Sequence, residues 1–167
     1  MLQVDYTVGV FCLFPVHRRS QKFMSTTVHR SVLLPYSAAN MFNLVADVEK
    51  YPQFMPWCGG AQVLEKDEEG MTASIIISFA GLKQTFTTRN THHFPNKIHL
   101  HLVDGPFSSL NGTWEFIELA PDACKVQFAL DYAFNSRSLE MLVGPVFNRI
   151  ANSFIDSFTK RAEQIYV

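Results

Sequence analysis

The chain holds 167 residues, 47% of them hydrophobic and only 17% charged, with 15 phenylalanines. That balance suits a single globular domain, and no stretch approaches the roughly 20 apolar residues of a membrane-spanning helix. A formal net charge of −1, which becomes −3 without residues 1–23, excludes any general attraction to DNA or to an anionic membrane. Cys12, Cys58 and Cys124 lack the paired spacing of a disulfide framework or a zinc site, which points to a reducing, intracellular setting.

Residues 1–23, MLQVDYTVGVFCLFPVHRRSQKF, read as a leader. A signal peptide places positive charge before its apolar middle, whereas here Asp5 comes first, Arg18 and Arg19 follow, and Pro15 interrupts. The expected origins are a translation start at Met24 or a disordered tail, leaving residues 24–167 as one domain. TTVHRSVLL is predicted as the first strand, stopped by Pro35. Ser37 is placed to cap a helix over AANMFNLVADVE, whose Met41, Phe42, Leu44 and Val45 form an apolar face. Pro52 and Pro56 forbid its continuation, so YPQFMPWCGG reads as short turns unusually rich in aromatic surface.

Strands follow. AQVLEKDEEGMTASIIISF is a hairpin with an acidic tip closed by Gly70, and Met71, Ala73, Ile75, Ile77 and Phe79 share one face at period two. LKQTFTTRNTHHF with KIHLHLV, and GTWEFIEL with CKVQFALDYAF, give two further hairpins and an antiparallel meander. Gly144 and Pro145 are expected to open a long helix over residues 145–165, with Pro145 at its first position. Its apolar stripe includes Val146, Phe147, Ile150, Phe154, Ile155 and Phe158.

A single helix cannot cover a broad curved sheet completely, so a hollow is expected between the two. Ligand pockets start at ~300 Å³. An empty apolar void of that size, at ~24 cal/mol per Å³, costs ~7 kcal/mol. That is a large share of the ~5–15 kcal/mol by which domains are stable. Such a hollow is therefore collapsed, wet or occupied. An apolar guest gains ~0.8 kcal/mol per buried methylene-sized group, which gives the phenylalanine surplus a use.

The stretches LVADVEKYPQFMPWCGGAQVLE, FAGLKQTFTTRN, LVDGPFSSLNGTWEF and GPVFNRIANSFIDSFTKRAEQIY resemble the START-like proteins of the coenzyme-Q-binding and RatA ribosome-association toxin group. That group lies within the polyketide cyclase superfamily, and the likeness spans residues 27–166. It implies an α+β helix-grip fold, a curved seven-stranded antiparallel sheet wrapped around the C-terminal helix. It also implies a hydrophobic tunnel for ubiquinone or a similar prenyl lipid, bound without catalysis in support of respiration.

Candidate lining residues are Ile75, Ile77, Phe79, Phe128, Leu130, Phe147 and Phe154, each with plain core as its other reading. Phe54, Met55 and Trp57 are a packed corner or a mouth. Arg149 and Asn152 are candidate polar contacts near the tunnel end. His92, His93, His99 and His101 superficially suggest a metal site. Ile98, Leu100 and Leu102 take the opposite strand face, however, so the histidines are expected in solvent with no metal bound. Cys58 reads as a small buried residue, and Arg89 and Asp131 as strand-surface charges. No nucleophile elbow, phosphate loop or dinucleotide fingerprint is present, and no catalytic residue or cofactor is expected. Expected partners are the lipid, the respiratory membrane in transient contact, and the large ribosomal subunit. The alternatives are thus a toxin that blocks ribosomal subunit joining and, third, a cyclase-like enzyme.

Overall fold

The structure is a computed structural model and describes residues 25–166; the leader reading falls outside them. The chain forms β1 (Thr26–Leu34), α1 (Ala38–Ala46), a 3₁₀ helix (Val48–Gln53), β2 (Cys58–Lys66), β3 (Gly70–Phe79) and β4 (Leu82–His93). It continues with β5 (Lys97–Asp104), β6 (Phe107–Ala120), β7 (Ala123–Phe134) and α2 (Arg137–Ile165). The strands make one antiparallel sheet in the order β1-β7-β6-β5-β4-β3-β2, curved around α2. β2 to β7 are a meander. β1 and β2, neighbours in sequence, sit at opposite edges because α1 and the 3₁₀ helix carry the chain across the sheet.

Period-two patterning sets the inner faces. Met71, Ala73, Ile75 and Ile77 of β3 are buried, as are Val126, Phe128, Leu130, Tyr132 and Phe134 of β7. Between β3 and β4 the chain reverses in a two-residue turn, with Ala80 and Gly81 both at positive φ (51° and 79°), and Phe79 pairs with Leu82. The β2–β3 tip is held from outside by Asp67, whose carboxylate accepts from the Gly70 N–H at 3.0 Å and from the Arg89 guanidinium at 2.7 and 2.8 Å. Arg89 thus lies on the outer face. Asp131, exposed on β7, accepts from the Thr27 hydroxyl, so both charges belong to strand surfaces. β2 is irregular: two residues oppose one between Cys58 and Gly60, and again between Val63 and Glu65.

Ser37 caps α1, its hydroxyl accepting from the Asn40 N–H at 3.1 Å. The long helix departs from the sequence expectation. It runs unbroken for 29 residues, ~44 Å, from a cap at Ser136 whose hydroxyl accepts from the Leu139 N–H at 3.2 Å. Pro145 lies inside it. Proline removes the bond to the Met141 carbonyl, but both residues are exposed, where water can satisfy that oxygen. Tyr166 ties the far end of α2 to α1, its hydroxyl donating to the Asn40 carbonyl at 3.0 Å.

Candidate ligand cavity

A hollow lies between the concave sheet face and α2, where the inward residues of β3 to β7 meet the helix. β3 contributes Met71 and Ile75, β5 Ile98 and Leu100, β6 Leu110 and Trp114, and β7 Phe128 and Leu130. α2 closes it with Phe147, Phe154 and Phe158, while Val45, Ala46, Val48 and Tyr51 form the wall on the α1 side. Gly112 helps keep the floor open. A Cβ there would stand 2.8 Å from the Leu100 Cδ1 and 3.2 Å from the Leu130 Cδ1.

The hollow has a volume of about 50 Å³. That exceeds the ~10–15 Å³ needed for one water and falls well short of the ~300 Å³ at which ligand pockets start. Aromatic rings account for the shortfall. The Trp114 ring lies 4.4 Å from Phe128 and 5.2 Å from Phe158, and Phe154 closes on Phe128 at 5.3 Å. A second group, Phe86, Phe107, Tyr132 and Phe147, fills the other end, with Phe147 4.8 Å from Phe107 and 4.7 Å from Tyr132. A lipid-sized guest therefore enters only by turning rings aside.

The lining is apolar except along β4, whose even-numbered residues point inward. Phe86 is followed on that face by Thr88, Asn90 and His92. Thr88 and Asn90 are buried and linked, the Thr88 hydroxyl donating to the Asn90 Oδ1 at 2.8 Å. His92 meets Phe42 edge-on at 5.5 Å. Its Nε2 is buried and has no hydrogen-bond partner among the described residues, a condition shared only with the Trp57 indole nitrogen. Burial, with the nearby charges of Lys66, Arg89 and His93, holds the His92 imidazole below the usual histidine range, so it is neutral at pH 7. Tyr51, the other ionisable lining residue, donates its hydroxyl to the Val45 carbonyl at 2.6 Å, and burial raises its phenol well above the usual range.

Of the residues proposed from sequence, Ile75, Phe128, Leu130, Phe147 and Phe154 line the hollow. Ile77, Met55 and Trp57 are buried in packed core beside it, with Trp57 resting on Phe154 at 5.2 Å. Phe54 sits outside, against Tyr51 and Phe158, with the Arg161 guanidinium 5.5 Å from its ring centre. Phe79 is half-buried at the end of β3, away from the lining. Helical periodicity carries Arg149 to an exposed side of α2, and turns Asn152 toward Asn148, whose backbone carbonyl accepts from its amide at 2.8 Å. Neither reaches the hollow.

The histidines divide. His99 and His101 stack on the outer face with ring centres 6.4 Å apart, and His101 Nδ1 lies 3.0 Å from the Asn111 Oδ1. His92 turns inward instead, against the expectation that all four face solvent, because the even register of β4 carries it to the concave side. Among the described residues no group of three or more His, Cys, Asp or Glu gathers as a metal set. Cys58 is buried, its thiol pushed up by that burial, so it is not a reactive thiolate.

An open sheet gripping one long helix over an apolar interior defines a helix-grip fold of the START and cyclase type. The family described as "Polyketide cyclase / dehydrase and lipid transport" matches residues 34–159, and the chain belongs to that family. It is 45% identical over 139 residues to a ribosome association toxin, RatA, of Vibrio cholerae, covering 83% of this chain and 96% of the relative. It is 26% identical over 140 residues to the mitochondrial coenzyme Q-binding protein COQ10 homolog B of Xenopus laevis, covering 81% of this chain and 57% of that protein. The fold is shared with the Zhui aromatase/cyclase of a Streptomyces species, at a TM-score of 0.77 and 16% identity over 86% of this chain and 97% of that one.

Proposed function

We propose that the protein binds ubiquinone or a similar prenyl lipid between sheet and helix, without catalysing a reaction on it, and so holds or delivers it in support of respiration. The observation that carries this reading is the apolar hollow closed by aromatic side chains rather than by backbone. Rings can swing, and each methylene-sized group of an entering tail contributes ~0.8 kcal/mol against the cost of displacing them. Tyr51 and His92 are the only lining residues that ionise, and no acid stands paired with a base there, which favours binding over proton-transfer chemistry. The name of the Xenopus relative supports a quinone as the guest. A cytoplasmic protein with transient membrane contact fits this role, and no helix among the described residues is long and apolar enough to cross a membrane. Organic extraction of the purified protein is expected to release a prenyl lipid. Repeated preparations that release none overturn the reading.

A second reading, association with the large ribosomal subunit, is favoured by the RatA relatives. Its local support is a groove of about 410 Å³ beside the C-terminal half of α2, lined by Gln53, Phe54, Lys160 and Arg161 among others, with Asp156 the one acid in the lining. Basic side chains there, with exposed Arg149 on the same helix, suit contact with phosphate-rich RNA despite the negative net charge. Sedimentation in a low-salt density gradient is expected to carry the protein with the large subunit. Its recovery only at the top of the gradient removes this reading. The two roles are compatible.

A further inference from the structure

We propose that Thr88, Asn90 and His92 on β4 form a head-group subsite for a neutral, carbonyl-bearing guest, whose oxygen accepts a hydrogen bond from the His92 Nε2–H. This inference rests on the lipid reading above and adds which chemistry the cavity selects and which way round a guest lies.

Three observations carry it. The Nε2 of His92 is buried in the wall of an apolar hollow with no partner among the described residues, and such a group is stabilised by any ligand atom that completes it. Thr88 and Asn90, on the same strand face, bond to each other and so make the strip polar without spending His92. Finally, no cation shares the space. Arg89, between them in sequence, is turned outward and held by Asp67 at 2.7 and 2.8 Å. With a neutral imidazole and no guanidinium or ammonium lining the hollow, an anionic head such as a fatty-acid carboxylate has nothing to balance its charge. A ketone or quinone oxygen needs only a donor. The polar strip ends beside Phe42 of α1, while Phe86 and Phe147 mark the opposite end, so the head lies toward α1 and the tail toward the N-terminal half of α2.

Calorimetric titration of the full chain with three probes tests this: a short-tailed ubiquinone, geranylbenzene as a prenyl arene without carbonyls, and palmitate. Wild type is expected to bind the quinone more tightly than either other probe. His92→Phe is expected to weaken the quinone about tenfold, the loss of one buried hydrogen bond, and to leave geranylbenzene within about twofold. Equal loss for both probes, or no loss for the quinone, overturns the subsite while leaving lipid binding intact. Binding of none of the three by wild type overturns both. Because His92→Phe could disturb packing, nitrogen NMR of the wild type supplies a second readout. The His92 Nε2 resonance is expected to move on adding the quinone and to stay put with geranylbenzene; an unmoved resonance at saturating quinone overturns the subsite.

Discussion

Phe128→Ala is expected to lower the unfolding free energy by about 3–5 kcal/mol, the usual cost of deleting a fully buried phenylalanine. Phe128 has no exposed surface, and its ring is gripped by Trp114 at 4.4 Å and by Phe154 at 5.3 Å. Truncation removes those contacts and enlarges a hollow that rigid strands on either side, β6 and β1, cannot collapse. Domains of this size are stable by ~5–15 kcal/mol, so the variant is expected to survive at room temperature with a much reduced denaturant midpoint. Phe54→Ala is the matched control, since its half-buried ring outside the cavity is expected to cost clearly less. Chemical denaturation of both variants settles the matter. Equal losses would mean that the interior around Phe128 is no better packed than the surface corner.

Gly70→Ala is expected to cost about 3 kcal/mol or more, of which backbone strain supplies about 1–3 kcal/mol and a steric clash the rest. Gly70 starts β3 at φ 152°, and a Cβ built there collides with the backbone carbonyl oxygen of Asn90 on the paired strand. That oxygen is backbone, so only a shift of β4 relieves the contact, and Asn90 belongs to the polar strip of the cavity. Gly81→Ala offers the contrast. Gly81 also has positive φ, 79°, but a Cβ there meets nothing within 4 Å, so only the conformational penalty of about 1 kcal/mol is expected. Thermal unfolding of the pair is expected to rank Gly70→Ala far below Gly81→Ala, and a tie would show that β4 yields freely at Asn90.

Much of the architecture can be read from residue spacing, because strands with one buried face announce themselves. The alternations over residues 71–79 and 126–134 give correct inner faces, and Ser37 gives the start of α1. The start of α2 is misread for a physical reason. Gly144 and Pro145 are the ordinary marks of a helix boundary, yet a proline on an exposed helix side gives up a bond that water replaces, and Ser136 holds the true cap eight residues upstream of Gly144. The cavity is harder to see. Apolar residues on an inner face look alike whether they touch a void or another side chain, so Ile75 and Ile77, two residues apart on one strand, end as lining and as core. Within the aromatic stretch Met55 and Trp57 are buried beside the hollow, while Phe54 lines a surface groove instead. The polar strip escapes notice because LKQTFTTRNTHH has a single apolar residue, Phe86, on its inward register once the strand is under way. Counting in twos from Phe86 reaches Thr88, Asn90 and His92, and that is the signal that could have found them.

The paired irregularities in β2 have a consequence for the company this protein keeps. A sheet that never closes leaves two rows of backbone amides and carbonyls on offer, and a neighbouring molecule with a straight, flat border could add itself as an eighth strand. Where the first strand of the meander buckles at Gly59 and again at Leu64, no such border exists for more than a few residues. The β2 rim is thereby a poor template for polymerisation, whereas β1, whose nine residues pair with β7 in unbroken register, carries no such interruption.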